Sequence, residues 1–135
     1  MQSTKDLKRE QKSVVLQQQV ILELNTLVKD IERSEKTILD LQTELAAVNA
    51  KYPSPRTTRQ DIAYLTDLLK CANKKLAWEK QIASMQKRTP ATLEKMATLL
   101  NDPKNPPADE MRTEMLRALQ GIQAAMERLQ NMKPG

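Results

Sequence analysis

The fold of this chain is decided by residues 4–50, which read TKDLKREQKSVVLQQQVILELNTLVKDIERSEKTILDLQTELAAVNA. The stretch contains neither Pro nor Gly, and its apolar side chains recur at the spacing of one helical face. The residues that mark this face are Val14, Ile21, Leu24, Val28, Ile31, Ile38, Leu45 and Val48. At 1.5 Å per residue the segment predicts one helix about 70 Å long. A compact domain of this size needs no such length, so we expect length itself to serve the function.

The composition favours an all-α protein without enzymatic chemistry. Of the 135 residues 39% are hydrophobic and 29% are charged, with two Gly, two Tyr, one Trp and no Phe. So few turn-forming and aromatic residues argue against sheets. The chain has no His and one Cys, which excludes imidazole metal ligands, an ordinary catalytic triad and an internal disulfide. We therefore expect no catalytic residue, no metal, no cofactor and no small-molecule substrate.

From the sequence we expect neither a membrane span nor a signal peptide. No apolar run approaches the roughly 20 residues that cross a bilayer. The first six residues, MQSTKD, are too polar for a secretory leader. A lone cysteine also suits a reducing compartment. We expect a cytoplasmic protein, with the nucleus as the alternative.

Proline divides the chain into four predicted helices. Pro53 and Pro55 mark a hairpin tip, because each disfavours the helical conformation in the residue before it. The spacing from Thr58 to Asp61 resembles a capping box for the next helix. Thr89 followed by Pro90 is typical of a helix start, which predicts a separate short helix there. The predicted helices are about 4–50, 57–88, 91–101 and 108–132.

These lengths predict an elongated antiparallel bundle with a long coiled-coil hairpin. Residues 1–88 form the hairpin, and residues 89–135 form a shorter helical pair that packs on its base within one domain. The short pair cannot reach the tip, which is left as a projection of two helices. Because a coil of two helices is only marginally stable alone, we expect a second copy or another protein to cover it.

The second predicted helix is apolar around more than half of its circumference. One stripe contains Ile62, Leu65, Leu69, Ala72, Leu76 and Ala83, and the other contains Tyr64, Cys71, Trp78, Ile82 and Met85. Such a helix must contact at least two neighbours. Trp78 and Tyr64 fit either the core or an exposed anchor for a partner. The residues that we predict to bind a partner are Ile38, Leu41, Leu45, Val48, Ile62 and Leu65.

The net charge of +5 arises in residues 52–90. Basic side chains there lie within about 60° of one another on a helical wheel. This predicted basic ridge consists of Arg56, Arg59, Lys70, Lys74 and Arg88. It fits an acidic partner or a phosphate-bearing surface, and it also fits a plain solvated face. Ser54, which precedes a proline at the exposed tip, is a candidate phosphorylation site.

The leading functional hypothesis is a non-enzymatic scaffold or adaptor that self-associates or binds a partner helix. The first alternative is binding of nucleic acid or an anionic membrane through the basic ridge. The second is a small helical chaperone or regulatory subunit that masks a client helix in a methionine-lined groove. The methionines of the second half of the chain, which fit either such a groove or the filling of an irregular core, are Met85, Met96, Met111, Met115, Met126 and Met132. The sequence does not identify the partner or the oligomeric state.

Overall fold

The computed structural model describes residues 4–132, which form three helices and no strand within that range. The first helix, α1, spans Thr4–Lys51, α2 spans Thr58–Leu100, and α3 spans Asp109–Asn131. α1 and α2 form a long antiparallel hairpin, and α3 packs mainly on α1. The predicted all-α helical hairpin bundle is confirmed.

The buried side chains of α1 recur in alternating steps of three and four residues. They are Ser13, Gln17, Val20, Leu24, Leu27, Ile31, Ser34 and Leu41. Half-buried Ile38 lies on the same line between Ser34 and Leu41, and half-buried Val48 continues it toward the tip. A seven-residue repeat keeps one line of side chains directed at a neighbouring helix over many turns. We call this line the seam of α1.

The seam of α2 follows the same repeat and meets that of α1. Its buried members are Cys71, Trp78, Ile82, Met85, Thr89, Thr92 and Met96. Trp78 is only 2% exposed, which confirms it as a core residue. Its Nε1–H donates a hydrogen bond of 2.9 Å to the carbonyl oxygen of Ser34, and this bond fixes the register of the two helices.

α2 continues through Pro90, so the predicted break between helices at 57–88 and 91–101 is wrong. Thr89 is not an N-cap: its side chain is fully buried, and its Oγ1 donates a hydrogen bond of 2.7 Å to the carbonyl oxygen of Met85. Because Pro90 has no backbone N–H, the helix lacks the hydrogen bond that position 90 would otherwise donate to the Gln86 carbonyl oxygen. The seam residues on both sides of Pro90 pack against α1, and this packing outweighs the lost bond.

The N-terminus of α2 is capped one residue earlier than the sequence predicts. The backbone N–H of Gln60 donates to Thr57 Oγ1 at 3.2 Å, and the N–H of Thr57 donates to Gln60 Oε1 at 2.9 Å. This reciprocal pair is a capping box. The predicted capping box at Thr58 and Asp61 is therefore wrong. Asp61 instead accepts a hydrogen bond from Arg56.

α3 runs in the same direction as α1 and ends part-way along it. The segment before α3 lies beside residues 10–17 of α1, and near the other end Arg128 Nε lies 3.2 Å from Glu35 Oε1. Its buried face consists of Met115, Ala118, Ile122, Ala125 and Leu129. Residues 91–100, which are predicted to belong to a separate helix at 91–101, are part of α2. Among the described helices α3 alone therefore packs on the hairpin base, in place of the predicted helical pair. Beyond Glu35 the hairpin has two helices.

Replacing Pro90 with Ala should stabilise the protein by about 2 kcal/mol. The change restores an N–H for the Gln86 carbonyl and removes a penalty of about 3 kcal/mol, offset by up to about 1 kcal/mol from the freer unfolded chain. Urea unfolding followed by circular dichroism measures the difference. Pro106→Ala, in the connector outside the helices, is the matched control and should shift stability by less than about 1 kcal/mol. A Pro90→Ala protein no more stable than its parent contradicts this account.

Candidate protein-interaction face

The side of the hairpin that α3 covers is defined by positions one residue after each seam position. On α1 these positions include Ile21 and Val28, and the Cγ2 of Val28 lies 3.9 Å from where a Cβ at Gly121 of α3 would stand. In an antiparallel pair, the corresponding positions of both helices fall on the same side. Half-buried Leu93 and Leu100 occupy them on α2. α3 therefore covers this side in the base half of the hairpin.

In the tip half the same side is uncovered and apolar. We call it the tip face. It comprises residues one position after the seam together with Leu45 and Leu68, which stand at the edge of the seam and line the groove between the two helices. Its eleven residues are Leu39, Gln42, Leu45, Ala46, Asn49, Ile62, Leu65, Leu68, Leu69, Ala72 and Leu76. Six of these are large aliphatic side chains that remain between 41% and 63% exposed: Leu39, Leu45, Ile62, Leu65, Leu69 and Leu76. The last four follow steps of three, four and seven residues, about 100° around α2 from its seam. This spacing is typical of a stripe that packs on another helix, and none of the three described helices covers it.

A groove runs along the tip face between α1 and α2. Its volume is about 400 Å³, and its lining consists of Ile38, Leu41, Gln42, Leu45, Leu68, Cys71, Ala72 and Lys75. This groove lies beyond the end of α3, in the direction in which α3 runs along the base half. The tip face thus combines an open groove with the exposed α2 stripe of Ile62, Leu65, Leu69 and Leu76 beside it.

Charged side chains lie on the opposite side of the tip half. There Lys74 Nζ donates hydrogen bonds of 2.9 Å and 3.0 Å to the two carboxylate oxygens of Glu44. This contact raises the pKa of the Lys74 ammonium above its usual 10.5. None of the eleven tip-face residues is charged. The two sides of the tip half therefore differ sharply in polarity.

The structure divides the six predicted partner-binding residues between two places. Leu41 is buried in the seam, and Ile38 and Val48 are half-buried there. Leu45, Ile62 and Leu65 are exposed on the tip face. Leu39, Leu69 and Leu76, which are not among the predicted residues, are similarly exposed. The regular spacing from Ile62 to Leu76 indicates the last two from the sequence alone.

The basic ridge is not a continuous row of free cations. Arg56 and Lys74 are paired with Asp61 and Glu44. Arg88 lines a surface depression that also contains Asp30. In the part of the chain that the structure describes, Arg59 and Lys70 are exposed and make no ion pair.

The hairpin tip is closed by a network around Arg56. Its Nε donates to Asp61 Oδ1 at 2.8 Å, its Nη1 donates to the Tyr52 carbonyl at 3.1 Å, and its guanidinium lies 4.5 Å from the centre of the Tyr64 ring. The rings of Tyr52 and Tyr64 meet edge to face at 5.7 Å. Ser54 is exposed beside this network, with Oγ 3.5 Å from Arg56 Nη1, so its phosphorylation stays a prediction.

The six methionines of the second half of the chain pack in or against the core, which confirms the core interpretation of their spacing. Met85, Met96 and Met115 are buried, and the others are half-buried against the same cluster. Over residues 4–132, no group of three or more His, Cys, Asp and Glu side chains is arranged to hold a metal ion. Within the same residues, no helix has both the length and the apolar character required to span a bilayer.

Comparison with known proteins gives no relative from which a function can be transferred. No protein-family model matches the chain, and no curated protein or solved structure matches it either. The functional argument therefore depends on the residues described above.

Arg56→Ala should lower the free energy of unfolding by roughly 1–2 kcal/mol. The substitution removes a hydrogen-bonded ion pair and a cation–π contact with Tyr64. Arg59→Ala is the matched control, because that exposed arginine has no ion pair among the described residues, and it should change stability by less than about 0.5 kcal/mol. Urea unfolding of both variants checks the prediction, and equal losses contradict it.

Proposed function

We propose that this protein is a non-enzymatic helical interaction module whose tip face binds helices of another protein chain. One observation carries the proposal: six large aliphatic side chains are exposed together on one side of a two-helix projection. The same side of the base half is covered by α3. The tip half therefore lacks a layer that the base half has.

The exposed area supports an interface rather than scattered surface residues. The tip face is about 20 Å wide and 20 Å long, given the helix rise and the usual spacing of packed helices. Monomeric proteins rarely expose contiguous apolar patches above a few hundred Å². Burying the six half-exposed aliphatic side chains contributes about 1 kcal/mol each, or about 6 kcal/mol together. This gain is of the size that association requires.

α3 indicates what kind of element fits the tip face. Its buried residues Met115, Ala118, Ile122, Ala125 and Leu129 follow the same seven-residue repeat as the hairpin seams. An amphipathic helix with this repeat packs its apolar stripe into the groove between α1 and α2. We therefore propose a coiled-coil scaffold or adaptor for assemblies of the cytoplasm, cytoskeletal ones included.

The two alternatives have weaker support. Binding of nucleic acid or an anionic membrane needs free cations, and two of the five ridge residues are already paired with carboxylates. A chaperone groove lined with methionine needs exposed methionines, and Met85, Met96 and Met115 lie in the core. The tip face combines exposure, apolar character and continuity with the α3 groove.

The proposal is tested by photo-crosslinking in the cells from which the protein comes. A photoreactive amino acid at Leu69 of the full chain should give adducts with a protein chain. The same amino acid at Leu22 is the matched control, because Leu22 is an equally exposed leucine (66%) that lies outside the tip face. An absence of adducts at position 69, or equal adducts at both positions, contradicts the proposed function.

A further inference from the structure

We infer that the tip face is occupied by a second copy of this chain, joined antiparallel through a twofold axis that passes near Leu65 and Leu69. The inference rests on the proposed function and names the partner. It follows from the charge, the shape and the position of α3.

The charge distribution favours a second copy over a charged partner. None of the eleven tip-face residues is charged, so these residues bring no like charges together between two copies although the chain carries +5. Half-buried Lys75 is the only charged residue that lines the groove. In the antiparallel arrangement the two Lys75 side chains are about 25 Å apart along the helices. This distance is longer than the Debye length of about 8–10 Å, so salt largely screens their repulsion.

The shape of the tip face is self-complementary. The α2 stripe has large side chains at Ile62, Leu65 and Leu69 and a small one at Ala72. A twofold axis that reverses the helix direction between two facing copies places α2 over α2, so Leu65 of each copy meets Leu69 of the other and Ile62 meets Ala72, as an isologous interface requires. The result is a bundle of four helices in two layers, in which α2 lies over α2 and α1 over α1.

α3 decides the orientation of the two copies. It lies on the same side as the tip face and rises about 10 Å above it, the usual distance between packed helices. In a parallel pair the two α3 helices occupy the same space. In an antiparallel pair the tip of each copy occupies the step beyond the end of the other's α3. The step extends from residue 36 to residue 51 of α1, which is about 23 Å.

The size of the step sets the expected affinity. About 23 Å by 20 Å is smaller than the roughly 800 Å² that each partner buries in a typical stable interface. We therefore expect a reversible dimer with a dissociation constant in the micromolar range.

Analytical ultracentrifugation of the full chain between about 1 and 200 µM tests the inference. The parent protein should change from monomer to dimer with concentration. Leu65→Asp combined with Leu69→Asp should remain monomeric at every concentration, with unchanged helical circular dichroism. Leu22→Asp is the matched control and should dimerise like the parent. A parent that is monomeric throughout, or a double variant that still dimerises, overturns the inference.

Disulfide trapping tests the orientation without disturbing the interface. In a Cys71→Ala background, Leu69→Cys should form a linked dimer under mild oxidation, because the residue lies close to the twofold axis. Leu76→Cys lies about 25 Å from its counterpart in the antiparallel pair and should not link. A linked dimer of the Leu76→Cys protein shows a parallel arrangement and overturns the antiparallel one.

The two proposals fail in different ways. A monomeric protein whose photo-crosslinks at position 69 join it to a different chain overturns the second-copy inference and supports the interaction module. A monomeric protein without crosslinks contradicts both.

Discussion

The seam between α1 and α2 is the contact on which the rest of this structure depends. A seven-residue repeat on both helices keeps their apolar lines in register from base to tip. The hydrogen bond from Trp78 to the Ser34 carbonyl selects one register among those that the repeat permits. α3, the tip network and the uncovered face are all placed relative to this seam. Its strength also explains why a proline inside α2 does not interrupt the helix.

The length of α3 divides the molecule into two parts. Where α3 is present, the large aliphatic residues Ile21, Val28, Leu93 and Leu100 on the side next to the seam are half-buried. Where α3 ends, at the ion pair of Arg128 with Glu35, the same side continues with exposed leucines. The function that we propose arises from this difference, because an α3 as long as α1 would cover the tip face as well. The polar tip network keeps the open end of the hairpin ordered.

The helix class, the long first helix, the hairpin and the uncovered tip could all be predicted, because they follow from residue types and from lengths along the chain. The continuity at Pro90 could not, because the local signal of Thr89 followed by Pro90 is the same at a helix start and in a helix interior. Only the burial of Thr89 against α1 decides between them. The choice between the two apolar stripes of α2 was also beyond the sequence, since both have helical spacing. Several residues predicted to bind a partner, Leu41 among them, belong to the stripe of α1 that the seam uses.

The chain has one tryptophan, and it lies at the boundary between the three-helix and two-helix parts. Its indole is buried beside Ser34, one residue before the glutamate that pairs with the end of α3. The protein therefore contains its own optical probe at the point where its architecture changes. Opening of the hairpin at this level exposes the indole to water and shifts its emission to longer wavelength, whereas fraying confined to the tip leaves it in place. Native fluorescence can thus separate movements of the projecting arm from loss of the bundle that supports it.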